Sequence, residues 1–177
     1  KNRPVANLSL AFNYYFHQFS LPGYHLVNIF IHLMAGFFLF LLPKTTFNLH
    51  SVRARHNVST WLPVSAVLMW MVHPLHIQSV TYVIQRMNSL AAMFYVLAIL
   101  CYVRARLAGS NTLKIFLFGI SIIAGLLAVA CKENAVTLPV YILLYEWFFL
   151  QDLSVAWLKK MVLPIIGIGL LIAIIVL

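Results

Sequence analysis

Charge is what this sequence has least of. Of 177 residues, 8% are charged and only 3 are Asp or Glu. A soluble domain carries about a quarter charged residues, so a soluble fold and a charge-rich disordered chain are both excluded. With 2 cysteines a disulfide scaffold is excluded as well. Cys101 and Cys131 fall in or beside apolar runs and read as buried, unreactive thiols. What fills the chain instead is apolar: 63% of its residues are hydrophobic and 14% aromatic. A spanning helix takes about 20 mostly apolar residues, so about six would occupy most of the chain. The fold class this predicts is an all-α, polytopic membrane helical bundle with outer-surface amphipathic helices.

The apolar runs place the spans. Residues 5–19 are mixed in character and too short to cross, and read as an interfacial or re-entrant helix. Spans are expected over 22–42, 58–72, 87–103, 113–131 and 134–150, with a sixth over 160–177. Residues 75–86 read as a short amphipathic surface helix. The chain opens on Lys1 and closes on an unbroken apolar stretch, Gly167 to Leu177. It is expected to be an internal piece of a longer chain, with 1–177 forming a single transmembrane domain fragment.

The few charges orient it. Loops 43–56, 104–114 and 151–160 carry Lys44, Arg53, Arg55, Arg104, Arg106, Lys114, Lys159 and Lys160. The opposite side has only Lys1, Arg3, Arg86 and Lys132. By the positive-inside rule those three loops are cytoplasmic. Trp61, Trp70, Trp147 and Trp157 fall near span ends, as an aromatic belt does.

The outer minority of charges is oddly placed. Lys132-Glu133 sits in a short turn between two spans, where it either forms a simple pair or holds an anionic headgroup. His73-Pro74-Leu75-His76 ends the second span, because proline lacks the donor that would continue it. Two histidines flanking a proline do not make a metal site without a third ligand. No metal residues are assigned, and the cofactor question stays open between none and a divalent ion. His76, Ser79, Tyr82 and Arg86 recur at helical spacing and would share one face of the surface helix. Within the first span, His25, Asn28 and His32 share a face, either gluing the bundle or facing a cavity. Glu146, beside Trp147, reads as interfacial at the inner end. The outer set is thus Arg3, His25, His73, His76, Arg86, Lys132 and Glu133. It is largely cationic, and a polyprenyl-phosphate arriving in the membrane fits it on charge.

The same residues carry a resemblance. Arg3-Pro4 through LSLAFNYYF and LPGYHLVNIFIHL resembles the opening conserved region of the transmembrane-and-tetratricopeptide-repeat O-mannosyltransferase family and its bacterial relatives. HPLHIQSVTYVIQRMNSLAAMFYVLAILCY is similar to that family's His-Pro-x-His segment, with its arginine and span following. CKENAVTLPVYILLYE resembles its Lys-Glu segment. The wider group is the membrane glycosyltransferases of the GT-C fold.

That resemblance implies transfer of a sugar from a polyprenyl-phosphate carrier to a hydroxyl, often of protein Ser or Thr, on the extracytoplasmic face. It implies Lys132 and Arg86 as phosphate contacts and His73 and His76 as pocket lining. Glu133 would orient Lys132 or bind sugar hydroxyls, with Arg3 and His25 supporting the neighbouring loop. The catalytic base is expected in an acidic loop upstream of Lys1, Glu133 being the in-sequence alternative. Tetratricopeptide repeats would lie beyond the C-terminal end, and a bacterial inner membrane would be the location. Two rivals stand beside the enzyme: a non-catalytic subunit of a membrane complex with the same fold, and a transporter or flippase of lipid-linked substrates. The second of these predicts ionisable residues paired across helices near the midplane.

Overall fold

A computed structural model of the chain describes residues 3–49, 52 and 61–161. Among them the secondary structure is helical, with no strand. Helix α1 (Pro4–His17) leads into the long α2 (Leu21–Phe47). Helix α3 (Trp61–Met71) follows, then a broken stretch containing the short α4 (Ile77–Thr81). The chain then runs up α5 (Arg86–Leu107), back along α6 (Asn111–Cys131), and into α7 (Leu138–Tyr145).

Three of these segments are long and apolar enough to cross a membrane: Leu21–Phe47, Val83–Leu107 and Asn111–Cys131. They answer to the first, third and fourth expected spans. The second corresponds to α3 over its described part. Helix α3 has 11 residues, about 16 Å of rise, and residues 58–60 of that expected span lie outside the described residues. The fifth is not one regular helix. It is a 3-10 turn (Glu133–Thr137), then α7, then a π turn (Glu146–Leu150). Most of the sixth, 162–177, lies outside the described residues.

All three basic loops also contract, residues 155–160 of the third being helical. Residues 104–107 and 111–114 belong to α5 and α6, leaving only Ala108–Ser110 between them. Residues 43–47 extend α2 through Pro43, which the helix accommodates near its C-terminal end.

Small residues let the long helices approach. Ala98, Ser121, Ala124 and Ala128 are buried along α5 and α6, and Ser121 Oγ donates to the Ala98 carbonyl at 2.8 Å across the α5–α6 seam. Such small-residue seams suit helices that gain little from hydrophobic exclusion in lipid. At Gly36 a Cβ would stand 2.6 Å from the Met71 sulfur, so this glycine permits the close crossing of α2 and α3.

The far end of the bundle is tied by charge. Glu146, beside Trp147, is 4% exposed. Arg106 grips it with two bonds, Nε to Oε2 at 3.0 Å and Nη2 to Oε1 at 2.5 Å. Tyr102 and Gln151 donate to the same carboxylate at 2.9 Å each. Nearby, Thr46 and Tyr145 hydroxyls meet at 2.5 Å, joining α2 to α7. The bidentate geometry and the extra donors are what a buried carboxylate needs. Replacing Arg106 by Ala would strand that carboxylate and is expected to cost roughly 3 kcal/mol. The joint change R106M/E146L should cost clearly less. Thermal melts of the detergent-solubilised variants check the order.

Candidate functional site

The site begins where a helix fails. After Met71 the chain cannot continue as an α-helix because Pro74 supplies no donor. It passes through a 3-10 turn at Pro74–His76, through α4, and breaks again at Tyr82, whose ψ of 118° is extended. A second 3-10 turn, Val83–Gln85, then enters α5. The expected continuous surface helix over 75–86 is therefore not formed. His76 and Arg86 do not share a face, because Tyr82 resets the register between them.

Breaks leave carbonyls without intrahelical partners, and in a membrane these must be satisfied from within the protein. The polar face of α2 does this. His32 Nε2 donates to the Met71 carbonyl at 3.1 Å. His25 Nδ1 donates to Val80 at 3.4 Å. Asn28 Nδ2 reaches both Val80 at 3.3 Å and Tyr82 at 3.4 Å. Of the two readings of this face, the observed bonds are those of interhelical glue.

Arg86 completes the arrangement. It is 0% exposed, as is Asn28. Its Nε donates to Asn28 Oδ1 at 2.7 Å, its Nη2 to the Tyr24 carbonyl at 3.0 Å, and its Nη1 to the Ser9 carbonyl at 3.4 Å. The guanidinium carbon lies 5.6 Å from the Tyr24 ring centroid, within cation–π range. One side chain thereby fastens α1, α2 and α5.

Arg3 and Glu133 find each other at 3.7 Å, and Arg3 Nη1 also contacts the Met87 sulfur. Glu133 thus reaches α1's end of the chain, although Lys132 is its sequence neighbour. Lys132 has no ion-pair partner among the described residues. It lines a cavity of about 420 Å³ between α2, α3, α5 and the turn after α6, a size suited to a small-molecule site. Ala35, Leu39, Ala91 and Val96 give this cavity apolar walls. Asn88, Tyr95 and Asn134 add neutral polar groups, and Trp70 closes one side.

Trp70 links the cavity to the histidines. Its ring stacks on His32 at 5.2 Å and lies 4.4 Å from the His76 ring. His73 stands 6.4 Å from His76 and accepts from the Leu75 amide. Among the described residues no three His, Cys, Asp or Glu side chains converge as a metal would require.

The structure thus gathers Arg3, His25, His73, His76, Arg86, Lys132 and Glu133 at one end of the bundle. Of these seven, Lys132 alone lines the cavity. Asn28, Trp70, Asn88, Tyr95 and Asn134 were not singled out for the site from sequence. Asn28 was visible as the middle of a polar face. Trp70 passed as a belt residue, and Asn88 and Tyr95 sit in an otherwise apolar run, where only the small pair Ala91-Ala92 between them hints at open space.

No family model and no solved structure matches the chain. Curated proteins do. Over 169 residues it is 30% identical to the protein O-mannosyl-transferase Tmtc3 of Drosophila melanogaster, covering 85% of this chain and 18% of that protein. Over 147 residues it is 32% identical to the protein O-mannosyl-transferase TMTC4 of Homo sapiens, covering 76% and 19%. The protein O-mannosyl-transferase tmtc2 of Xenopus laevis is 28% identical over 182 residues, covering 97% and 20%. These proteins are homologues of the chain. Their names support the family resemblance carried by the three motifs. The chain spans about a fifth of the length of the curated relatives it matches.

His76 lies outside the three long helices. Burial first, then repulsion from His32 and His73, holds its imidazole below the ordinary 6.5. A depressed folded-state value leaves His76 without penalty above pH 6.5. As pH falls from there through the folded value, the unfolded chain takes up the proton more readily and stability is lost. The melting temperature in detergent should therefore drop as pH falls below 6.5, and H76Q should flatten that drop. An unchanged slope in H76Q would exclude His76 as its source.

Proposed function

We propose that this chain is the membrane portion of a glycosyltransferase of the O-mannosyltransferase family. In this reading it moves a sugar from a polyprenyl-phosphate carrier to a protein Ser or Thr hydroxyl on the extracytoplasmic face. The observation that carries the proposal is Lys132, a cation without an ion-pair partner among the described residues, set into a cavity with apolar walls. A phosphate on a prenyl chain presents the complementary pair of features, a dianion or monoanion joined to an apolar tail. The names of the homologues supply the reaction class.

In the transfer, negative charge gathers on the departing phosphate as the glycosidic C–O bond opens. An ammonium beside the departing oxygen stabilises that charge more than it does the bound donor. Lys132 takes this role. Arg86 holds the framework, since its guanidinium is already bonded to Asn28, Tyr24 and Ser9. His73 and His76 border the cavity through Trp70, while His25 and Arg3 keep the neighbouring segments in place. Glu133 is engaged with Arg3, which favours a base contributed from sequence preceding Lys1. The basic segments 43–56, 104–114 and 151–160 face the cytoplasm, and the fold is of GT-C type with about six spans. A bacterial inner membrane rests on the family resemblance alone.

The Glu133–Arg3 pair also favours a second reading, a non-catalytic subunit that retains the donor site. One experiment separates them. The protein in membranes is supplied with labelled polyprenyl-phosphate mannose and an acceptor protein, as wild type, K132R and K132M. The enzyme reading expects K132M to lose at least about a hundredfold in kcat, the scale of one lost transition-state contact, with partial rescue in K132R. Donor binding without transfer in the wild type would favour the subunit. Full turnover in K132M would remove Lys132 from the mechanism.

A further inference from the structure

The cavity holds more than a place for phosphate. Along α5, Asn88 and Tyr95 are seven residues apart and so lie on one face, about 10 Å apart in height. Ala91 and Ala92 between them leave the space open. Each polar group is partly used, and the unused part can be read off. Asn88 Nδ2 donates to Gln85 Oε1, leaving the Asn88 carbonyl oxygen and one N–H. Thr137 Oγ1 donates to the Asn134 carbonyl at 3.0 Å and lies 3.2 Å from the Tyr95 hydroxyl. With its own proton so directed, Thr137 accepts from Tyr95, and the Tyr95 oxygen is left as an acceptor. The Asn134 amide has no side-chain partner among the described residues. The lining therefore offers one cation, two amides and one phenolic acceptor beside the Trp70 ring, and no carboxylate.

Amides and a phenol are the groups that read neighbouring hydroxyls, because each offers donors and acceptors at fixed angles without the desolvation cost of a charge. Resting on the donor site proposed above, we infer that Asn88 and Tyr95 bind the hydroxyls of a neutral glycosyl group and set which sugar is accepted. Lys132 holds the phosphate. The two recognitions are separable: removing an amide or a phenol oxygen weakens the sugar's binding and leaves that of the phosphate.

The test is calorimetric titration of the whole protein in detergent with two probes, a short-chain prenyl phosphate and the same prenyl phosphate carrying mannose. The variants are N88L, Y95F and K132M, and Y95F removes a single oxygen and so preserves the packing. Wild type is expected to bind the glycosylated probe more tightly than the bare one. N88L and Y95F should each lose about tenfold for the glycosylated probe, about 1.4 kcal/mol, with the bare probe unchanged. K132M should lose both. Equal weakening of both probes in N88L and Y95F, or no weakening of either, overturns the sugar-reading role while leaving the donor site standing. Failure of wild type to bind either probe overturns the donor site and this inference together.

Discussion

The bond between Arg86 and Asn28 is the constraint on which this end of the molecule depends. A chain that stops being helical inside or beside a membrane exposes backbone carbonyls with no water to satisfy them. Here the interruption runs from Met71 to Arg86, and a single asparagine caps two of its carbonyls. Asn28 offers its amide protons to Val80 and Tyr82 and its oxygen to Arg86. Because Asn28 Oδ1 needs a donor and the buried guanidinium needs acceptors, each residue makes the other's burial tolerable. Neither would be stable there alone.

That constraint determines how the cations are used. Arg86 and Arg106, at opposite ends of α5, are both committed to fixed acceptors. Arginine suits such work, with a planar fork and five donors that can be distributed among carbonyls and carboxylates. Arg3 is drawn to Glu133. What remains facing the cavity is a lysine, a compact charge on a flexible stem. The same division explains the neutral lining opposite. A carboxylate there would pair with Lys132 and take up its charge, whereas amides and a phenol can be satisfied within the wall and still face inward.

Three long helices were legible from sequence because each is a continuous apolar run, and length alone fixes such segments within a few residues. The gathering of polar residues at one end was legible as well, through alternation of the spans. The broken stretch was not. His76, Ser79, Tyr82 and Arg86 keep helical spacing through a point where the backbone turns extended, and periodicity carries no information about a register that Tyr82 resets. The Lys132-Glu133 adjacency misled in a similar way. Neighbours in a turn point apart, and Glu133 found a partner supplied by the start of α1. Trp70 looked like a belt residue because belts and cavity walls both place tryptophan near helix ends. The Glu146–Arg106 pair escaped because its partners are 40 residues apart, a separation that only the packing of α5 against the segment after α7 brings together.

The most direct test of the proposed donor site is to see where a lipid phosphate sits. A prenyl phosphate with a photoreactive group on its first isoprene unit would be irradiated with the protein in membranes, and the labelled residues mapped by mass spectrometry. Labelling of Ala91, Ala92 or Val96 on the cavity wall, competed by unlabelled prenyl phosphate and lost in K132M, is the predicted result. Labelling spread over the exposed face of α6, at Ile122 and Ile123, and indifferent to competitor and to Lys132, would contradict it.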